Sequence, residues 1–234
     1  MKSRLTGVAL FIAVTILQCF IINSAAIEET EFGFATTYIA GAIDSSIIQI
    51  TLFSYLPIPF LLFIAEDMME DLVKGYSLMV IIRNYSRKLL FAKMLVKVIL
   101  ITALSVAFIT LLSLLFGVNS VSLDTAEKGN TVVFYGLVLL NIVALDVVLA
   151  LILHRKQVSN IFINVFFVIS LLLPIKSESS LLNCIFFPRL AFARVNGVIS
   201  GTDIDTLYLQ LFLLTYFVII CVVGQEKYKN MDIY

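Results

Sequence analysis

A lone histidine, three cysteines and one aspartate set inside an apolar run are the groups that could do chemistry in this 234-residue chain. His154 stands beside Arg155 and Lys156 at the end of an apolar stretch. A helix C-terminus suits a cation, so His154 reads as a capping or interface residue rather than a base. One histidine at an edge can neither complete a metal site nor activate a serine. Cys19, Cys184 and Cys221 are scattered, odd in number and without CxxC or Cys/His spacing. Cys19 and Cys221 fall in apolar runs and read as packing residues, and Cys184 as a buried thiol. The sequence holds no GxxxxGK(S/T), HExxH or GxSxG motif. These residues predict no catalytic centre and no metal site in this chain.

Asp146 is the informative residue. It interrupts the apolar run Val132–Leu153 about two turns from its end. A carboxylate at such a depth in a membrane costs about 2.5–3.5 kcal/mol, so it is expected to face other helices and to have a partner there. Asn160, Asn164 or Lys97 could provide that partner. Asn141 lies in the same run. Two roles are open for the set Asn141, Asp146 and Asn164: hydrogen bonding between helices, or a gating or pathway function. Gln18, Gln49 and Gln210 are isolated and fit the first role.

The elements that must position these residues are membrane spans. The chain is 61% hydrophobic and 14% charged, against about 45–50% and 25% in soluble domains. Its mean hydropathy is +1.05. That much apolar surface cannot be hidden in a globule of this size. The net charge is zero, which gives no electrostatic case for nucleic acid. A span needs about 20 mostly apolar residues. Six stretches are candidates: 5–27, 47–65, 89–116, 132–153, 158–173 and 207–223, the fifth of them short and ended by Pro174. The first opens like a signal peptide, but its apolar part is long for one, and a retained helix is expected. The second carries Pro57 and Pro59, which kink a helix unless neighbours compensate.

Charge placement sets the orientation. Twelve of the 16 Lys and Arg residues fall on one side of the six spans, and four (Lys128, Lys176, Arg189, Arg194) on the other. The richer side is cytoplasmic by the positive-inside rule. The expected fold is therefore an all-α membrane protein, one domain over residues 1–234, with both termini in the cytoplasm.

Two non-spanning segments stand out. Glu66–Arg83 reads EDMMEDLVKGYSLMVIIR. Met68, Met69, Leu72, Val73 and Tyr76 recur at helical spacing, with Glu66, Asp67, Glu70, Asp71 and Lys74 opposite. An acidic face suits an anionic leaflet poorly. It fits either a solvated linker or a helix that docks on a cytoplasmic protein. Gly75 is placed to bend it. Arg87, Lys88, Lys93 and Lys97 then form a basic anchor at the lipid headgroups. The other segment, Pro174–Thr206, holds the apolar stretch Leu181–Phe187 and then Pro188, Arg189 and Arg194. It is too interrupted to span. It fits either a re-entrant hairpin buried by protein or an amphipathic stretch on the outer surface.

The acidic segment after the second span, followed by Lys74-Gly75-Tyr76, Ile82-Arg83-Asn84-Tyr85-Ser86-Arg87 and Lys93, resembles the type-2 ABC transporter permeases. More narrowly, it resembles the small six-helix permeases of Gram-positive bacteria linked to peptide export or antimicrobial-peptide immunity. The resemblance implies a multi-pass plasma-membrane protein of bacterial type. It implies that Glu66, Asp67, Glu70, Asp71, Lys74, Gly75, Tyr76 and Arg83 form a coupling helix docking on a cytoplasmic ATP-binding subunit. That partner would bind ATP and Mg, leaving this chain without a cofactor. It also implies a second permease copy, or a related permease, alongside, and a short re-entrant element including Phe187, Pro188, Arg189 and Arg194. The cargo class would be a hydrophobic or amphipathic peptide, antimicrobial or lipid-like molecule. Two other classes share these spans: a non-transporting immunity, sensor or scaffold protein, and an ion-coupled transporter using Asp146.

Overall fold

The computed structural model describes residues 2–24, 55, 57–73, 86–115, 125–172, 184–191 and 206–230. Among them the chain is all-helical: α1 (Lys2–Ser24), α2 (Pro57–Val73), α3 (Arg87–Leu115), α4 (Thr125–Leu153), α5 (Lys156–Leu172) and α6 (Thr206–Lys229). A 3-10 turn, Phe187–Ala191, lies between α5 and α6. No strand occurs among the described residues.

Among the described residues, three helices are long and apolar enough to cross a membrane, over Arg87–Leu112, Val132–Leu153 and Thr206–Lys229. Shorter apolar stretches run over Thr6–Leu17 in α1 and Lys156–Ser170 in α5. Their outer faces carry exposed aliphatic and aromatic side chains, including Leu104, Leu115, Ile161, Phe162, Leu211 and Val218. Contiguous apolar surface of this kind is stable against lipid and unfavourable against water.

The core forms around α4. Its apolar window is 61% buried, against 28% for α3 and 22% for α6. It packs against α2, α3, α5, α6 and the 3-10 turn, and most extensively against α6. α1 sits at the edge, on α2 and α3. The side chains of α4 explain its place. Phe134, Val138, Leu139, Ile142, Val143, Val147, Ala150 and Leu151 are all buried and point to several sides of the helix, as in a helix enclosed by others.

Gly224 lets α6 come close to this centre. A Cβ there would lie 2.6 Å from Val148 Cγ2 and 2.7 Å from Phe91 Cζ. Arg87, at the start of α3, donates to the Lys229 carbonyl at 3.0 Å and ties the ends of α3 and α6 together. α4 and α5 are joined by His154 and Arg155 alone. His154 has φ of 55°, the left-handed conformation that ends a helix and reverses the chain. This makes α5 fold back along α4.

The helices and the apolar stretches of the sequence have different ends. α2 continues through Glu66–Val73, eight residues past the apolar stretch that ends at Ala65. α4 begins at Thr125, seven residues before Val132, and α6 runs on to Lys229, six past Val223. Polarity ends an apolar stretch, but a helix ends where its backbone is capped or broken. The part of the second expected span at 47–54 lies outside the described residues.

Candidate functional site

The short α4–α5 turn brings polar residues of the two helices together inside the bundle. Asp146 and Ser159 are both 0% exposed. The Ser159 hydroxyl lies 2.7 Å from Asp146 Oδ1 and 2.7 Å from the Asp146 carbonyl oxygen. A hydroxyl has one proton to donate, so these two acceptors share it. The other carboxylate oxygen, Asp146 Oδ2, is buried without a hydrogen-bond partner. An unmet buried acceptor is costly, and a site that keeps one has a donor to receive or a strain to hold.

On another side of α4, Asn141 is also 0% exposed. Its amide donates to the Leu137 carbonyl of its own helix at 2.9 Å and to the Leu213 carbonyl of α6 at 3.1 Å. Asn141 Oδ1 is the second buried acceptor without a partner. Both unmet acceptors belong to α4, the most buried of the three long apolar helices described.

A third polar group joins the region before α2 to α5. The Tyr55 hydroxyl donates to Asn164 Oδ1, and Asn164 Nδ2 donates to the Asn160 carbonyl at 2.8 Å and to its side-chain oxygen. The Tyr55 ring also stacks on Phe167, with centroids 5.0 Å apart. At the end of the bundle, Asp67 of α2 is 8% exposed and its Oδ1 lies 3.7 Å from Lys156 Nζ of α5. Lys156 is one helical turn from Ser159, so α2 meets α5 one turn away from the contact that joins α5 to α4.

The expected partner of Asp146 needs correction. It is Ser159, not Asn160, Asn164 or Lys97. Asn160 accepts from Asn164, Asn164 accepts from Tyr55, and Lys97 is exposed on α3. One residue along α5 turns a side chain by about 100°, enough to put Ser159 toward α4 and Asn160 elsewhere.

Of the acidic segment, Glu66, Asp67, Glu70 and Asp71 all lie on α2, and Asp67 is paired within the chain. Lys74, Gly75, Tyr76 and Arg83 lie outside the described residues, as does Arg194. Phe187, Pro188 and Arg189 lie in the 3-10 turn, every residue of which is buried. The turn packs on α4 and α5. Phe187 meets Phe166 of α5 and Tyr216 of α6, with centroids at 5.8 and 5.0 Å. Cys184, just before the turn, is a free thiol of intermediate exposure. Among the described residues, no three His, Cys, Asp or Glu side chains come together to hold a metal ion.

Sequence reasoning missed Ser159, Tyr55 and the Asp67–Lys156 pair. A two-residue link between apolar helices forces a hairpin, so Ser159 could have been placed against Asp146 by counting from the turn. Nothing local to Tyr55 marks it as a partner of Asn164.

Among the described residues the protein is all-helical, with three helices long and apolar enough to cross a membrane and buried polar contacts on the central one. The chain belongs to the family described as protein of unknown function (DUF2705), whose match covers residues 10–234. No curated protein and no solved structure matches the chain.

Proposed function

We propose that this chain is the permease subunit of an ATP-driven ABC transporter, a six-span protein of the bacterial plasma membrane with both termini inside. It would carry a hydrophobic or amphipathic cargo, such as a peptide, an antimicrobial or a lipid-like molecule. ATP hydrolysis, with its Mg, would belong to a separate cytoplasmic subunit, and a second permease copy or relative would complete the path.

The observation that carries this reading is the form of α2. One unbroken helix runs from the apolar Pro57–Ala65 into the acidic Glu66–Val73. Eight residues extend about 12 Å at 1.5 Å each. A continuous helix transmits a push at its acidic end to its apolar part without bending. The Asp67–Lys156 pair then links α2 to α5, and Ser159 links α5 to Asp146 of α4. With Asp67 paired to Lys156, the other acidic residues of this end of α2 are Glu66, Glu70 and Asp71.

Purifying the tagged chain in mild detergent and identifying what co-elutes tests the proposal. A P-loop ATPase is expected, and it is expected to be lost when Glu66, Glu70 and Asp71 are changed to Lys. Absence of any such ATPase, with function unchanged in the triple variant, would leave a non-transporting immunity or scaffold role. A second reading rests on Asp146, whose enclosed carboxylate with one unmet oxygen would also suit an ion-coupled transporter. Transport that persists without ATP but fails in Asp146→Asn would favour it.

A further inference from the structure

A groove of about 600 Å³ opens between α3 and α4. We infer that it holds one hydrocarbon tail of a phospholipid, from the leaflet at the Leu111 and Val132 end of the two helices. This inference needs only that α3 and α4 cross a membrane, and it is independent of the ATP-driven reading.

Three properties of the groove select that occupant. The first is its chemistry. Its hydroxyl-bearing lining residues are Thr102 and Thr110. Both turn back on their own helix, Thr102 Oγ1 to the Val98 carbonyl at 2.9 Å and Thr110 Oγ1 to the Val106 carbonyl at 2.7 Å. Their side-chain hydrogens are thereby committed. The rest of the wall is aliphatic, glycine or alanine. A peptide or sugar would find no side-chain donor here, whereas a hydrocarbon chain loses nothing.

The second is length. On α3 the groove runs from Ile99 to Leu111, about 18 Å at 1.5 Å per residue. Half of a hydrocarbon core of about 30 Å is about 15 Å. The groove therefore matches the depth of one leaflet. A membrane helix from a second copy would need a seat about twice as long. The third is volume. A methylene group takes up about as much room as a water molecule in the liquid, ~30 Å³. The groove thus has room for about twenty such groups, one long tail rather than two.

The groove exists because the residues between its rims are small. Ala103, Ala107 and Gly136 line it. A Cβ added at Gly136 would meet Val106 methyl carbons at 3.8 and 4.0 Å, an ordinary contact. Gly136 thus leaves open space rather than permitting close approach of the two helices, and a larger residue could fill it.

The test uses the full chain in nanodiscs of phosphatidylethanolamine and phosphatidylglycerol doped with a phospholipid carrying a diazirine in its tail. After illumination, adducts are mapped by mass spectrometry. Adducts at Ala103, Ala107 and Leu140 are expected several-fold above those at Ile161 and Phe162 of α5 or Val218 of α6, which are exposed apolar positions outside the groove. Gly136→Phe is expected to bring groove labelling down to that level. Ala107→Phe, at an exposed wall position, is expected to do the same should the first variant fail to fold. Equal labelling of all apolar faces would overturn the inference. So would an Ala107→Cys chain that forms a cross-linked dimer absent from the parent, since a second copy would then cover the groove.

Discussion

Replacing Gly224 by alanine tests whether α6 sits as close to α3 and α4 as the structure places it. The added carbon would fall 2.6 Å from Val148 Cγ2, 2.7 Å from Phe91 Cζ and 3.3 Å from Phe91 Cε2. Carbon atoms prefer about 3.5–4.0 Å, so roughly 1 Å must be recovered. Neither neighbour can yield freely. Val148 is branched at Cβ and restricted to few rotamers in a helix, and Phe91 is 1% exposed with its ring against Tyr228. Overpacking of this kind costs about 1–3 kcal/mol. Alanine recovers about 1 kcal/mol of helix propensity over glycine. With two buried neighbours displaced, the expected net loss is about 1–2 kcal/mol, or about tenfold in the folded ratio. Unfolding in a denaturing-detergent titration would measure it. Gly129→Ala is the control, since nothing lies within 4 Å of its Cβ position, and it should be neutral or stabilising. Adding Val148→Ala to Gly224→Ala should cost less than the two singles together. A Gly224→Ala chain as stable as Gly129→Ala would refute the packing argument.

Two further substitutions probe the polar contacts. Ser159→Ala removes the donor shared by Asp146 Oδ1 and the Asp146 carbonyl, and should cost about 1 kcal/mol in the same titration. Ser159→Thr, which keeps the hydroxyl, should recover most of that. Asp67→Lys places a second cation near Lys156 and should cost about 1–2 kcal/mol. The exchange Asp67→Lys with Lys156→Asp should restore stability, and a double-mutant cycle without coupling would show that the pair does not join α2 to α5.

The helical, strongly apolar character of the described residues was legible in the composition, because 61% hydrophobic content leaves few other solutions. Helix ends were less legible. Hydropathy ends the sixth apolar stretch at Val223, yet the helix runs through Gln225 and Glu226 to Lys229, held by Arg87 on its last carbonyl. That contact joins residues 142 positions apart and leaves no trace near either. Asp146 was recognisable as an enclosed group because a charge in an apolar run demands a partner, and its 0% exposure agrees. Which partner it takes depends on the rotation of α5, fixed by a left-handed residue at His154 that hydropathy does not encode. The burial of the turn that carries Arg189 was not legible either, because the rings packed on its Phe187 come from two different helices, Phe166 of α5 and Tyr216 of α6.

The central place of α4 bears on how the protein is made. Synthesis runs from the N-terminus, so α4 leaves the ribosome first, and α5 and α6 only afterwards. Until then Asn141 lacks the Leu213 carbonyl and Asp146 lacks Ser159. A chain ending at Leu153 would leave both polar groups without these partners. Completion of the last third of the polypeptide is what supplies both partners, so the polar contacts of the central helix are the last to be made.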